Sequence, residues 1–159
     1  MHTPAQHGHS ALGRTADCAR LASAIAAALP GRPAVGIAAV GGGGLHTAAA
    51  SSPRARLLEE TQLIHLGGPG RDAAAGGRPV LVADMVLETQ WDADFRRDIR
   101  ILDVRSLYCR PVTGGTGTLG VLTLYGTRPN AFAPTVDHLL RPFQSPLTDA
   151  LRRLRSRSR

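Results

Sequence analysis

The stretch Leu66–Met85, "LGGPGRDAAAGGRPVLVADM", decides the fold. Its segment Gly68–Ala73 fits the G-x-G-x-x-A pattern of a glycine turn that binds a dinucleotide phosphate. Such a turn follows a strand and opens a helix, and an acidic residue comes about twenty positions later. Here the helical pattern "RARLLEETQLIHL" precedes the glycines, and the strand-like Pro79–Asp84 follows them. We therefore interpret these glycines as structural, and Gly76-Gly77 as the end of a short helix before a strand.

Upstream of this stretch, the pattern indicates a helix and then a hairpin. Apolar residues at helical spacing predict a first helix that is capped by Thr15 and stopped by Pro30-Gly31. Cys18 lies on the apolar stripe and is expected to be a small buried side chain. Two strand-like runs flank Gly41–Gly44, which predicts a hairpin turn rather than a phosphate loop.

Two more helices flank the opening stretch. The first is predicted from Pro53, with these residues on its inward side: Leu57, Thr61, and Ile64 or His65. The second is "WDADFRRDIRIL", with its inward residues at helical spacing: Phe95, Ile99 and Leu102.

The C-terminal third reads as a second hairpin and a closing helical segment. The runs "RSLYCRPV" and "TLGVLTLYG" are predicted strands, joined by "TGGTG". An apolar stripe then continues to Leu154 but is interrupted by Pro142 and Pro146. Because proline disrupts a helix interior, and Ser145 resembles an N-cap, we expect two helices or one sharply kinked helix.

The predicted element order is α-ββ-αα-β-α-ββ-α. Hairpins imply mostly antiparallel pairing, and helices at both chain ends can cover one face of a sheet. At 159 residues the chain fits one domain. We expect a disordered tail at residues 1–13, a single α+β domain at residues 14–152 and a basic tail at residues 153–159.

The positive charge is concentrated at the C-terminus. The formal net charge is +7 and every basic residue is arginine, but five arginines fall in the last eight residues, which leaves +2 for the rest. A uniformly basic binding surface is therefore not indicated. A solvated tail is favoured over contact with nucleic acid, for which these residues are the weak candidates: Arg152, Arg153, Arg155, Arg157 and Arg159.

Composition also argues against metal, membrane and secretory roles. Cys18 and Cys109 have no metal-ligand spacing, and the histidines near the N-terminus have no carboxylate or cysteine beside them. No apolar run approaches the length of a membrane span or a signal peptide. We expect a cytoplasmic protein with reduced thiols, without a cofactor or a bound metal.

Taken in order, five motifs resemble the GAF domains of actinobacterial regulators, in which the GAF domain precedes an RNA-binding ANTAR domain. The resemblance covers residues 15–152 and rests on these segments: "TAAASSPRARLLEETQ", "LGGPGRDAAAGGRPVLVAD", "QWDADF", "VRSLYCRPV" and "GTLGVLTLYGTRPNAF". It implies a central sheet of five to six mostly antiparallel strands. The terminal helices would cover one face, and loops and short helices the other.

Departures from the family pattern are informative. The glutamate that precedes Gly-Pro-Cys in the family is missing, and the family's cysteine falls at Gly70. Asp103 replaces a glycine before Val-Arg-Ser, where a left-handed helix end tolerates aspartate. Trp91 and Phe95 are one residue further apart than usual. The residues after Ala150 are too few for a further helical bundle, so we expect no ANTAR domain in this chain.

The resemblance implies a small-molecule pocket between the sheet and the loops or helices after the third strand. The candidate wall residues are Asp84, Trp91, Phe95, Arg105, Ser106, Tyr108 and Arg110. Strand alternation places Ser106, Tyr108 and Arg110 on one side, opposite Arg105, Leu107 and Cys109. Arg110 could bind a carboxylate or phosphate with its planar fork. An internal pair with Asp84 or Asp103, or an edge position in water, is favoured over ligand binding.

These observations predict a non-catalytic sensory or regulatory domain that binds a small molecule or a partner protein, in signalling or transcriptional regulation. One GAF-type group reduces free methionine sulfoxide with loop cysteines, but Cys18 and Cys109 fall in a helix and a strand, so this reading is weaker. The alternative is an interaction module that forms a homodimer through its terminal helices, with a basic tail that touches nucleic acid.

Overall fold

The computed structural model describes residues 11–155, with side chains from residue 16 onward. Ten elements follow the predicted order: α1 Ala11–Ala28, β1 Ala34–Gly41, β2 Gly44–Ala50, α2 Pro53–Ile64, α3 Pro69–Gly76, β3 Val80–Val82, α4 Ala93–Ile101, β4 Ser106–Gly114, β5 Gly117–Gly126 and α5 Val136–Arg155. The strands form one sheet in the order β2-β1-β5-β4-β3, and every neighbouring pair is antiparallel. The predicted α+β class is confirmed, and the sheet has five strands, within the five to six mostly antiparallel strands expected.

One face of the sheet, called the helix-pair face, is covered by α1 and α5. Cys18 and Ile25 of α1 and Leu147 of α5 are buried in one apolar cluster with Ile37 of β1 and Leu122 of β5. The predicted stripe of α1 is therefore the inward one. The terminal helices lie together on one face, as the resemblance implied.

The other face, called the three-helix face, is covered by α2, α3 and α4. Leu58 of α2 and Phe95 of α4 pack with Leu107 and Tyr125 of the sheet. Ala73 of α3 packs in a smaller cluster with sheet residues from β4 and β5. The glycine stretch thus builds this face, because α3 and β3 both come from it.

The predicted break in the C-terminal helical segment is wrong. Helix α5 is continuous from Val136 to Arg155, and Ser145 is not an N-cap. Pro142 and Pro146 are both exposed, and so is His138, whose carbonyl loses its helical amide partner at Pro142. Water can bind the freed carbonyls on that side, while the buried stripe holds the helix against the sheet.

Helix α2 corrects the prediction of its inward side. Leu57 is 50% and Ile64 74% exposed. The buried residues are one position further round the helix: Ala55, Leu58, Glu59 and Gln62. The apolar pattern was misleading because two of the inward residues are polar and are stabilised by hydrogen bonds inside the fold.

Turns and helix ends agree with the glycine interpretation. Gly77 ends α3 in the left-handed conformation (φ 65°), and Gly44 (φ 102°) closes the first hairpin. Asp103 also has a left-handed φ of 63°, which confirms the expectation for this position. Strand β3 is shorter than the predicted Pro79–Asp84. In the described part of the chain, every helix is too short or too polar to cross a bilayer.

Candidate functional site

The polar groups of the glycine stretch form hydrogen bonds within the protein. The amide of Gly70 donates to Oε1 of Gln62 at 2.8 Å. Arg71 donates from Nε to the carbonyl of His65 (2.8 Å) and from Nη2 to that of Leu63 (2.6 Å). Arg71 therefore caps the C-terminal end of α2, where carbonyls lack helical partners. These interactions explain the glycine pattern without a phosphate.

The predicted wall residues are divided between the two faces of the sheet. Arg105 forms a two-pronged ion pair with Asp84, with Nε–Oδ1 and Nη2–Oδ2 distances of 3.0 Å. The hydrogen bond from Arg105 lowers the pKa of Asp84. Ser106 donates from Oγ to the carbonyl of Arg128 at 2.7 Å. All three side chains fix the ends of β3, β4 and β5 in place.

Trp91 and Phe95 join helices on the three-helix face. Phe95 is fully buried, and its ring meets the indole of Trp91 edge-on, with centroids 5.9 Å apart. The indole Nε1 donates to Oδ2 of Asp72 on α3 at 2.9 Å. Trp91 also has a φ of 65°, which costs a bulky residue about 1–3 kcal/mol. Trp91 therefore tethers α3 to α4 at the expense of backbone strain.

Tyr108 and Arg110 lie on the same face of the sheet, as strand alternation predicted, but this is the helix-pair face and not the face on which the resemblance implied a pocket. Arg110 Nη1 is 2.7 Å from Oδ1 of Asp137 on α5, and the Tyr108 hydroxyl donates to the same carboxylate oxygen. Burial and the contact with Asp137 raise the pKa of Tyr108. The expected partners of Arg110 were wrong, because α5 brings Asp137 over β4 while Asp84 is engaged by Arg105.

A buried polar chain that the sequence analysis missed crosses the three-helix face. It consists of Glu59 and Gln62 of α2, Tyr125 of β5 and the Gly70 amide of α3. Gln62 Nε2 donates to the Tyr125 hydroxyl, and Tyr125 donates to Oε2 of Glu59, both at 2.9 Å. Since Gln62 also accepts from Gly70, every link has a defined direction.

The buried polar chain ends at a Glu59 oxygen that has no hydrogen-bond partner. Oε1 of Glu59 receives no hydrogen bond from the protein, and because Glu59 is only 1% exposed, bulk water does not reach this oxygen either. Burial raises the pKa of Glu59 to about 8, so its carboxyl is mostly neutral at pH 7. An unsatisfied buried polar atom costs about 1–3 kcal/mol and calls for a functional or structural explanation.

Gly36 makes room for this carboxyl. An ideal Cβ on Gly36 would lie 1.9 Å from Oε1 and 2.2 Å from Cδ of Glu59, far inside van der Waals contact. A glycine inside an otherwise apolar strand marks a close approach by another group. Gly36, together with polar residues on the same side of α2 as Leu58, is the sequence signal from which the buried polar chain could have been predicted.

Neither cysteine is activated. Burial raises the pKa of Cys18 to about 11 and that of Cys109 to about 12. Cys109 lies against Thr123, whose hydroxyl donates to Sγ at 3.5 Å. Both thiols are therefore protonated at neutral pH, whereas thiol chemistry requires an accessible thiolate.

Three of the basic C-terminal residues lie in the last turn of helix α5. Arg153 lies 3.6 Å from Asp17 of α1, which links the two terminal helices. Arg152 and Arg155 are exposed at the end of α5. Arg157 and Arg159 lie outside the described residues, as do residues 1–10 of the predicted tail. Between residues 11 and 155, no group of three or more metal-ligating side chains is close enough to hold an ion.

A scan against protein-family models and a search of curated proteins returned no match. Solved structures do match. A type II free methionine-R-sulfoxide reductase from Thermoplasma acidophilum is 16% identical, with a TM-score of 0.71, over 91% of this chain and 96% of that chain. A GAF domain region from Geobacter sulfurreducens is 18% identical, with a TM-score of 0.70, over 89% and 94%. The PixJ GAF domain of Thermosynechococcus elongatus, in its blue-light absorbing form, is 17% identical, with a TM-score of 0.64, over 94% and 90%.

These similarities concern the backbone, since identity is low in each case. They agree with the element order, the five-stranded sheet and the placement of the terminal helices on one face. The chain therefore has the fold of a GAF domain.

Proposed function

We propose that this chain is a non-catalytic sensory or regulatory domain that binds a small molecule between the sheet and helices α2 and α3. The resemblance to GAF domains favours a ligand on the three-helix face. The observation that carries the proposal is the unpartnered Oε1 of Glu59, which is buried in this layer at the end of the polar chain.

The unpartnered oxygen indicates the chemistry of the ligand. A neutral Glu59 that accepts from Tyr125 at Oε2 carries its proton on Oε1, so a ligand acceptor for that proton, or a ligand N–H or O–H that donates to the ionised carboxylate, would offset the cost of the unpartnered oxygen. A cationic donor would in addition favour the ionised carboxylate, because a nearby positive charge lowers a carboxyl pKa. The ligand class is therefore a small molecule with a hydrogen-bonding group that can face this oxygen, such as an amine, an amide or an alcohol.

The polar chain also supplies a route for a response. It passes from Glu59 through Tyr125 and Gln62 to the amide of Gly70, in the first turn of α3. A ligand that displaces the Glu59 carboxyl shifts the Tyr125 hydroxyl bonded to it and, through that hydroxyl, the Gln62 amide. Helix α3 is the element positioned to respond, since its Gly70 amide donates to Gln62.

Two buried thiols support the non-catalytic assignment. The structurally similar proteins include free methionine-R-sulfoxide reductases, so the fold is compatible with that reaction. In this chain, however, burial raises the pKa of both Cys18 and Cys109, and the loop position where the regulator group carries cysteine is Gly70. A sensory role fits these residues better than thiol catalysis.

Dimerisation through the terminal helices and contact with a regulatory protein belong to the same proposal. Helices α1 and α5 lie together on one face, where Leu139 is 39% exposed beside the buried stripe of α5. An exposed helix pair of this kind can carry a ligand response to a second subunit or to a partner.

A thermal-shift screen tests ligand binding. The wild-type protein is heated with a panel of small amines, amides and alcohols, next to Glu59→Gln and the neighbouring control Glu60→Gln. At 100-fold excess over Kd, a ligand stabilises the folded state by about 2.7 kcal/mol, which corresponds to several degrees in Tm. We expect a rise for wild type and Glu60→Gln and a much smaller one for Glu59→Gln. Equal shifts in both variants, or no shift with any compound, would contradict the proposal.

A further inference from the structure

A groove on the helix-pair face contains charges that the fold does not balance. It lies between the end of β4 and helix α5, has a volume of about 340 Å³ and is called the β4–α5 groove. The residues that define it are Arg110 and Val112 of β4 and Asp137, Leu140, Arg141 and Gln144 of α5. The polar chain at Glu59 is on the opposite face of the sheet.

The floor and the walls of the groove differ in polarity. Leu122, Leu140 and Leu147 line it and are 1–3% exposed in the apolar core. Gln144 and Thr148 lie further out along α5. An apolar floor with a few polar groups at the wall is typical of small-molecule sites, whose volumes run from about 300 to 1,000 Å³. The groove therefore fits a small ligand with an apolar body.

The cationic groups exceed the anionic ones. Arg110 donates from Nη1 to Oδ1 of Asp137 at 2.7 Å, and its guanidinium also interacts with the Tyr108 hydroxyl. Asp137 already accepts from Tyr108 as well. Arg141 lies one turn further along α5 and is exposed, and no carboxylate of residues 16–155 is within ion-pair distance of it. The groove thus carries one uncompensated positive charge.

We propose that the β4–α5 groove binds a small organic carboxylate, at a site separate from the one at Glu59. The carboxylate lies between the Arg110 guanidinium and Arg141, which both line the groove, because the planar fork of arginine matches a carboxylate. The apolar body rests on Leu140 and Leu147. A single excess charge matches a carboxylate monoanion better than a phosphate dianion.

The test is an NMR titration of the isotope-labelled full chain with benzoate in 0.1 M salt. We expect saturable amide shifts at Thr113, Gln144 and Thr148, which line or border the groove. Benzamide, which lacks the charge, and inorganic phosphate, which lacks the apolar body, are expected to bind at least fivefold more weakly. Equal binding of phosphate, or no saturable shift with benzoate, would overturn the proposal.

Variants locate the binding to the groove. Arg141→Gln removes the uncompensated charge at an exposed position and is expected to weaken benzoate binding about fivefold or more. Arg155→Gln, an exposed arginine of the same helix outside the groove, is expected to change it less than twofold. Arg110→Lys keeps the charge but loses the fork, so it too should weaken binding. Unchanged affinity in both groove variants would count against the assignment.

This site is independent of the proposed function at Glu59. Glu59→Gln should leave the benzoate shifts unaltered, because Glu59 is on the opposite face of the sheet. Loss of benzoate binding in that variant would reject the claim that the two sites are separate. Failure of the screen on the three-helix face would leave the result of the benzoate titration intact.

Discussion

Replacing Gly36 by alanine is expected to lower the free energy of unfolding by about 3 kcal/mol, since overpacking costs about 1–3 kcal/mol and a disrupted buried hydrogen bond a similar amount. The new Cβ would lie 1.9 Å from Oε1 of Glu59. Glu59 cannot withdraw without disturbing its bond from Tyr125. Urea unfolding followed by circular dichroism measures the change.

A double-mutant cycle shows whether Glu59 is the cause. With Glu59→Ala in the background, the added methyl group meets no carboxyl, so Gly36→Ala should cost about 2 kcal/mol less than it does alone. Gly42→Ala is the control, because an ideal Cβ at that position meets nothing within 4 Å. Additive losses in the cycle would mean that Gly36 does not make room for Glu59.

The second large effect is a loss of stability with rising pH. The pKa of Glu59 is raised from 4.5 to about 8 on folding. Between these values the folded chain holds a proton that the unfolded chain has released, so the free energy of unfolding falls as pH rises. The contribution of this group is complete below about pH 4.5 and is lost as pH rises towards 8, at about 1.4 kcal/mol per pH unit.

The difference between wild type and Glu59→Gln isolates this effect. Glutamine cannot ionise, so the downward slope from Glu59 should be absent in the variant, while Glu60→Gln should keep it. The pair of Asp84 with Arg105 acts in another window, because a lowered carboxyl pKa affects stability only in acid. Parallel curves for wild type and Glu59→Gln between pH 5 and 8 would show that Glu59 ionises normally in the fold.

Much of the fold could be predicted because its signals are local. Hairpins follow from glycine turns, and Gly77 ends α3 where the sequence placed a helix end. The predicted inward side of helix α2 was wrong, because the burial of Glu59 depends on its hydrogen bond with Tyr125, which is 66 positions away in the chain. The continuity of α5 depends on packing against the sheet and on solvent at the exposed prolines, and neither is visible in a local pattern.

The candidate site was predictable only in part, for a similar reason. Strand alternation placed Tyr108 and Arg110 on one face correctly, since side-chain direction is a local property. Which carboxylate meets Arg110 depends on how α5 crosses β4, so Asp137 could not be identified from spacing. Asp84 and Arg105 were chosen as pocket residues but pair with each other.

The central claim is that a small molecule binds beside Glu59 on the three-helix face. Native mass spectrometry of protein purified gently from cells tests it most directly, with wild type, Glu59→Gln and Glu60→Gln prepared in parallel. We predict that wild type and Glu60→Gln retain the same additional small-molecule mass and that Glu59→Gln carries little or none of it. The bare polypeptide mass in all three proteins, or the same adduct at equal occupancy in all three, would contradict the claim.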